Sequence, residues 1–346
     1  MQGKKKWIFN IVFLLLVIAL TLYGLFRGSD LAQLQMLIHQ ADFRWWLLAF
    51  VLVIAFILGE SIVLHDIMRT LKAPHHLSHC FLYSFIGFFF SCITPSAGGG
   101  QPAQVYFMRK DHIDPAVSVP VLILVTITYK LVLILFALFV FLFRPPAVIT
   151  ALEPVRLWCI LGTVLNVLFV GLYVLLVLFP RAVEATLRWC IRCPGRILGA
   201  SRQQRMLLWL NRWMKQYRDA ALCFRSRPCM VLRVTVLTIL QRCLLFAVTY
   251  LAMRSFGIAA GTLGSIVTLQ AMISLGTDLL PLPGGMGASE TMFMRIFPAL
   301  CGETMTLPVL VVSRGISYYG QLIISAIFTV VAVFTIGKRE KNDRIL

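Results

Sequence analysis

Two proline- and glycine-rich segments interrupt apolar stretches of this chain in nearly the same words. Pro95-Ser96-Ala97-Gly98-Gly99-Gly100-Gln101-Pro102-Ala103-Gln104-Val105-Tyr106-Phe107-Met108-Arg109 aligns without a gap on Pro281-Leu282-Pro283-Gly284-Gly285-Met286-Gly287-Ala288-Ser289-Glu290-Thr291-Met292-Phe293-Met294-Arg295. Six of the fifteen positions are identical, and Gln104 falls opposite Glu290. Proline removes a backbone donor and glycine frees the backbone, so each copy breaks the helix that carries it. A duplicated break in a very apolar chain points to internal repeats, with a binding site where they meet.

The apolar setting follows from composition. The chain is 59% hydrophobic and only 13% charged, with a mean hydropathy of +0.86, which excludes a soluble domain of this size. Several runs reach the ~20 residues needed to cross ~30 Å of hydrocarbon. Trp7–Phe26 carries no charge and lacks a small-residue cleavage site, so it reads as an anchor rather than a signal peptide. Barrel strands are short and alternating, which excludes a transmembrane β-barrel. The expected fold is an all-α polytopic membrane protein.

The formal charge of +18 invites a nucleic-acid reading, but the basic residues sit where topology explains them. Lys4, Lys5 and Lys6 precede the first run. Arg181 to Arg227 holds eleven Lys and Arg against two acids, and Lys338, Arg339, Lys341 and Arg344 follow the last run. All three clusters belong on the cytoplasmic side. No nucleic-acid partner is expected.

Counting from those clusters gives six full spans with both termini cytoplasmic, in the cell's cytoplasmic membrane. They are Trp7–Phe26, Trp45 to about Leu64, Ala116–Phe143, Val155–Phe179, Met230–Met253 and Thr306–Ile336. A short amphipathic segment, capped by Ser29-Asp30 and apolar at Leu31, Leu34, Leu37 and Ile38, lies on the outer surface. Leu77–Thr94 meets the first break and returns to Arg109, Lys110 and His112 without an outside-like loop. Leu263–Leu280 meets the second break and continues through Gly287–Phe297 to the acidic loop Pro298–Glu303. Both read as re-entrant helix pairs, which makes residues 44–143 and 230–336 inverted-topology repeats. Between them, residues 181–228 form a basic segment with Leu210, Trp213, Tyr217, Ala221 and Phe224 at helical spacing, suited to an anionic cytoplasmic leaflet.

The candidate site collects at the breaks. A half-helix that starts inside the membrane offers unpaired amide N–H groups and a positive dipole end to an anion. Gly98, Gly99, Gly100, Gly284, Gly285 and Gly287 let a phosphate approach the backbone, and Gln104 and Glu290 are the matched polar positions beside them. Intramembrane charges cost at least ~2.5 kcal/mol each, so they face a cavity or a partner. Lys130 and Arg314 occupy corresponding positions in the two repeats and bracket a phosphate, while Asp278 or Glu290 meets a cationic head group. Arg242 and Glu60 are weaker candidates, since both lie near an interface to which they can snorkel. The plainer alternatives are small-residue packing at the breaks and mutual pairing, for example of Arg314 with Glu290 or Asp278.

Nothing in the sequence points to a cofactor, a metal or catalysis. Of nine cysteines, only Cys190 and Cys193 form a C-x-x-C pair, and no second pair stands at a zinc spacing. His75, His76 and His79 cluster beside Cys80 with no carboxylate close in sequence, as in an interfacial loop. Walker, Rossmann, G-x-S-x-G and H-E-x-x-H signatures are absent.

Pro281–Glu290, Thr94–Gln104 and Ser313-Arg314-Gly315-Ile316-Ser317-Tyr318-Tyr319 together resemble the membrane region of the lysylphosphatidylglycerol synthase/flippase family and its stand-alone relatives, from about residue 7 to 336. The resemblance implies movement or binding of a phospholipid, most simply one with an anionic head group. The sequence ends at Leu346, soon after its last apolar run, so the family's soluble aminoacyl-transfer domain is not expected here, nor is that enzymatic activity. Three functions stay open: a lipid flippase, a non-transporting lipid-binding scaffold for a separately encoded lipid-modifying enzyme, and a membrane-embedded transferase.

Overall fold

A computed structural model of the chain describes residues 31–71, 76–192 and 226–342, with single positions between 204 and 222. The first expected span, the Lys4–Lys6 cluster, Ser29, Asp30, His75, Cys193, Trp213, Tyr217, Ala221, Phe224 and Arg344 lie outside the described residues. Among the described residues every regular element is a helix. A short helix α1 (Leu31–Gln40) leads into α2 (Phe43–Thr70). The first hairpin is α3 (Leu77–Ile93), a 3-10 turn at Pro95–Ala97 and α4 (Gly100–Lys110). Next come α5 (Pro115–Phe143), α6 (Pro146–Leu152), α7 (Arg156–Leu178) and α8 (Pro180–Arg192). The second half holds α9 (Pro228–Ser255), α10 (Leu263–Thr277), a 3-10 turn at Pro283–Gly285 and α11 (Ala288–Ile296). It ends with α12 (Pro298–Cys301), α13 (Glu303–Arg314), a π-helical turn at Gly315–Gly320 and α14 (Gln321–Asn342).

Five described stretches are long and apolar enough to cross a membrane: Phe43–Thr70, Pro115–Phe143, Pro146–Leu175, Pro228–Ser255 and Glu303–Ile336. They coincide with five of the six spans read from sequence. The loop expected at Pro298–Glu303 is instead the single turn α12, started by Pro298 at its first position. Large apolar side chains such as Phe141 and Leu157 point outward, 72% and 79% exposed, as lipid-facing residues do.

The core of the bundle is the antiparallel pair α2 and α9. Trp46 Nε1 donates to Ser255 Oγ at 3.0 Å at one end, and Arg233 holds Asp66 at 2.6 and 2.9 Å at the other. Midway, Gly59 lets the helices close up. A Cβ there would lie 2.8 Å from Gln241 Cβ, and this approach lets Gln241 Nε2 donate to Glu60 Oε2 at 2.7 Å.

The first hairpin doubles back on itself. Gln104 Nε2 donates to the Tyr83 carbonyl at 3.1 Å, and farther from the turn Asp111 takes bonds from Tyr83 and His79. The carboxylate that the histidine cluster lacks in sequence is thus Asp111, brought round by the turn. Gly100 makes the fold-back possible, since a Cβ there would sit 2.7 Å from the Gly87 carbonyl oxygen. At 17 and 11 residues, α3 and α4 are ~26 and ~17 Å long. In the second hairpin, α11 packs on α10, with Met292 against Gly276 and Phe293 stacked on Phe297 at 3.9 Å.

The two hairpins make matching contacts. α3 packs on α14, where Phe85 stacks on Phe328 at 4.3 Å. In the other half, α10 packs on α5 and also on α7. The turns Pro95–Ala97 and Pro283–Gly285 touch one another. In the basic segment, Leu210 and Met214 are buried against Ile123 of α5 and Ile191 of α8, so this part of its apolar face is taken up by protein.

Gly100→Ala is expected to lower the melting temperature in detergent, because overpacking against backbone costs about 1–3 kcal/mol. Gly171→Ala, whose Cβ would meet nothing within 4 Å, is the control and should melt with the wild type. Equal melting of both variants would refute close approach as the role of Gly100.

Candidate functional site

Where the breaks meet there is a cavity of about 470 Å³, lined by α2–α5, α7, α9, α10, both 3-10 turns and the π turn. It collects most of the residues singled out in the sequence. Gly98, Gln104, Lys130, Asp278, Gly284, Gly285 and Arg314 line it; Gly99, Gly100, Gly287 and Glu290 do not. Gly287 lines a smaller recess of about 190 Å³ with Trp158 and Arg295.

Although alike in sequence, the breaks use their glycines differently. At the second, Gly284, Gly285 and Gly287 all have positive φ (56°, 67° and 82°), a conformation that costs side-chain-bearing residues 1–2 kcal/mol. Gly284 must also lack a Cβ, which would lie 2.7 Å from Tyr318 Cζ. At the first break, Ala97 takes the left-handed position (φ 53°).

The open backbone groups of both breaks find partners. Thr94 Oγ1 accepts from Gly99 N at 2.8 Å and donates to the Phe90 carbonyl at 2.6 Å. Tyr318 Oη donates to the Cys92 carbonyl at 2.8 Å. The second half-helix starts at Ala288, and Glu290 Oε2 accepts from Gly287 N at 2.7 Å. The positive end of α11 therefore already holds an anion, the chain's own carboxylate.

Both bracketing cations are paired. Arg314 Nε donates to Glu290 Oε1 at 2.8 Å, and its Nη2 reaches Ser289 Oγ and, at 3.5 Å, the Gly284 carbonyl. Arg314 closes α13 at the start of the π turn, a helical distortion frequent at functional sites. Lys130 forms an ion pair with Asp278 and lies 3.4 Å from Asn166 Oδ1. Tyr129 Oη donates to the other Asp278 oxygen at 2.9 Å. Each pair thus ties the second hairpin to a long span: Lys130–Asp278 to α5, and Arg314–Glu290 to α13.

The residue that sequence reasoning undervalued is Arg242. Far from snorkelling, its guanidinium lines the cavity between aromatic rings, 3.9 Å from the Tyr129 centroid and 4.9 Å from that of Phe56. No carboxylate among the described residues lies in ion-pair range, and its Nε is buried without a hydrogen-bond partner. Cation–π stacking supports the charge there, at about 2 kcal/mol when desolvated. The only sequence signal for it was an arginine inside an apolar run. Glu60, also undervalued, is 7% exposed and lines the same cavity.

This geometry offers a ligand a polar chamber inside an apolar bundle, with Arg242 outside any ion pair among the described residues and able to donate to a phosphate oxygen. A search of curated proteins found no match to the chain. A family model described as the lysylphosphatidylglycerol synthase TM region matches residues 7–325, a stretch that holds both breaks and every charged residue of the cavity. The chain is therefore a member of the lysylphosphatidylglycerol synthase TM-region family, an integral, multi-pass membrane protein.

Proposed function

We propose that this protein is a flippase of the cytoplasmic membrane, carrying a phosphate-bearing phospholipid or another lipid-linked head group between leaflets without enzymatic turnover. The observation that carries the reading is Arg242: a half-buried cation stacked between Tyr129 and Phe56, facing a cavity where two helix breaks meet, with no carboxylate in ion-pair range among the described residues. An unpaired charge at such depth is costly to keep and marks a ligand path. In this reading the chain has six spans and two re-entrant hairpins, arranged as inverted repeats with both termini cytoplasmic. Such repeats rock about a central site. The ion pairs Lys130–Asp278 and Arg314–Glu290 hold the second hairpin in one position, and their exchange with the head group lets it move.

Purified protein in liposomes holding an acyl-labelled phospholipid tests this, with a membrane-impermeant quencher reporting the label that reaches the outer leaflet. The wild type is expected to expose inner-leaflet label, and Arg242→Ala, Arg314→Ala and Glu290→Ala to slow exposure at least about tenfold, as for loss of a charge-assisted hydrogen bond. Full rates in all three variants would refute the site. Lipid bound by the wild type without movement would identify a scaffold instead.

The ion pair is testable by stability. Lys130→Met leaves Asp278 without its countercharge, a loss of about 3–5 kcal/mol for a buried pair. The double variant Lys130→Met/Asp278→Asn is expected to melt closer to wild type than Lys130→Met alone; additive losses would rule out the coupling.

Topology gives a further check. In a cysteine-free background, Arg69→Cys and Lys110→Cys should react with an impermeant thiol reagent from the cytoplasmic side, and Arg144→Cys from the opposite side. Labelling of Lys110→Cys from outside would exclude a re-entrant first hairpin.

A further inference from the structure

The charges lining the cavity do more than admit a phosphate; they are balanced in a way that selects the whole head group. The charged residues that line it are Glu60, Lys130, Arg242, Asp278 and Arg314. Lys130 and Asp278 neutralise each other, and Arg314 is neutralised from behind by Glu290. Two charges of opposite sign remain. Among the described residues Arg242 has only aromatic faces, and Glu60 has only the Gln241 amide, at 2.7 Å. No ion pair joins them. Arg242 stacks on Phe56, which stands one helical turn before Glu60 on α2, and both charges line the cavity.

One buried donor on the cavity wall, Arg242 Nε, also lacks a hydrogen-bond partner among the described residues. Buried groups of this kind are normally satisfied, and an orphaned donor on the cavity wall calls for a ligand that accepts.

We propose that Arg242 and Glu60 read a zwitterionic, primary-amine phospholipid head group, of the phosphoethanolamine type, with its phosphate on Arg242 and its ammonium on Glu60. This rests on the lipid-carrier reading above and names its substrate class. A phosphate and an ammonium joined by two carbons suit two opposite charges lining one cavity. An anionic glycerol head group satisfies Arg242 but leaves Glu60 buried without a countercharge, and that penalty selects against it. A choline head group carries the positive charge but has no N–H donor for Glu60. The primary ammonium has three.

The test is the liposome assay run with three acyl-labelled lipids whose head groups are intact: phosphatidylethanolamine, phosphatidylcholine and phosphatidylglycerol. Wild type is expected to move the ethanolamine lipid at least about tenfold faster than either other lipid, as for a charge-assisted hydrogen bond made by one ligand alone. Glu60→Gln should slow the ethanolamine lipid and speed the glycerol lipid, inverting the order, a result that misfolding does not produce. Equal wild-type rates for the three lipids, a wild-type preference for the glycerol lipid, or an unchanged order in Glu60→Gln would overturn the proposal while leaving lipid transport standing. If wild type moves none of them, transport itself falls, and retained lipid decides the head-group assignment. In that case native mass spectrometry of protein extracted from liposomes of equal composition should show ethanolamine lipid bound, and glycerol lipid bound instead would overturn it.

Discussion

Each helix break strands backbone N–H and C=O groups inside an apolar bundle, and most of the architecture follows from the need to pair them. A buried, unpaired backbone group costs several kcal/mol where water cannot reach it. The partners come from far along the chain. Tyr318 crosses from the π turn to the Cys92 carbonyl, and Arg314 approaches the Gly284 carbonyl. Glu290 caps the amide of Gly287, and Asn166 Nδ2 reaches the Leu275 carbonyl at 3.3 Å. These contacts bring the first hairpin, the second hairpin and the last span to one point, and the cavity is the space left between them.

The same logic distributes the charges. Glu290 serves as cap and countercharge at once, fixing the start of α11 and holding Arg314. Asp278, at the end of α10, does the corresponding work for Lys130 and Tyr129. Of the cations that line the cavity, Lys130 and Arg314 are thereby committed to structure. Arg242 is left with π faces, which stabilise a guanidinium without neutralising it. In the proposed function, a chamber with a cation of this kind binds a phosphate oxygen without first breaking an ion pair, so recognition is assigned to Arg242 and movement to the paired residues.

Much of this was legible in the sequence, and the limits are physical. The apolar runs located the five described spans, with ends up to nine residues off at Pro146–Leu175, because length and hydropathy are properties of single segments. The duplicated Pro/Gly words gave both breaks, since proline and glycine act locally. Residues 97, 284, 285 and 287 then show that like sequences need not share a backbone: one break takes its left-handed turn at an alanine, the other at three glycines. What sequence did not reveal depends on contact between distant helices. Asp111 meets His79 only because the first hairpin closes. Arg242 read as a snorkelling residue until α5 and α2 supplied Tyr129 and Phe56 as its walls. The π turn at Gly315–Gly320 was legible only as a motif, Ser313 to Tyr319, with no helical defect to mark it.

The central claim is that a phospholipid head group sits where the two breaks meet, with its phosphate on Arg242. Electron cryo-microscopy of the protein in nanodiscs of mixed phospholipids tests this directly. The account requires head-group density in the cavity, with a phosphate within hydrogen-bond distance of the Arg242 guanidinium between Tyr129 and Phe56. An empty cavity, with lipid ordered only on the outer faces of the spans, would contradict it.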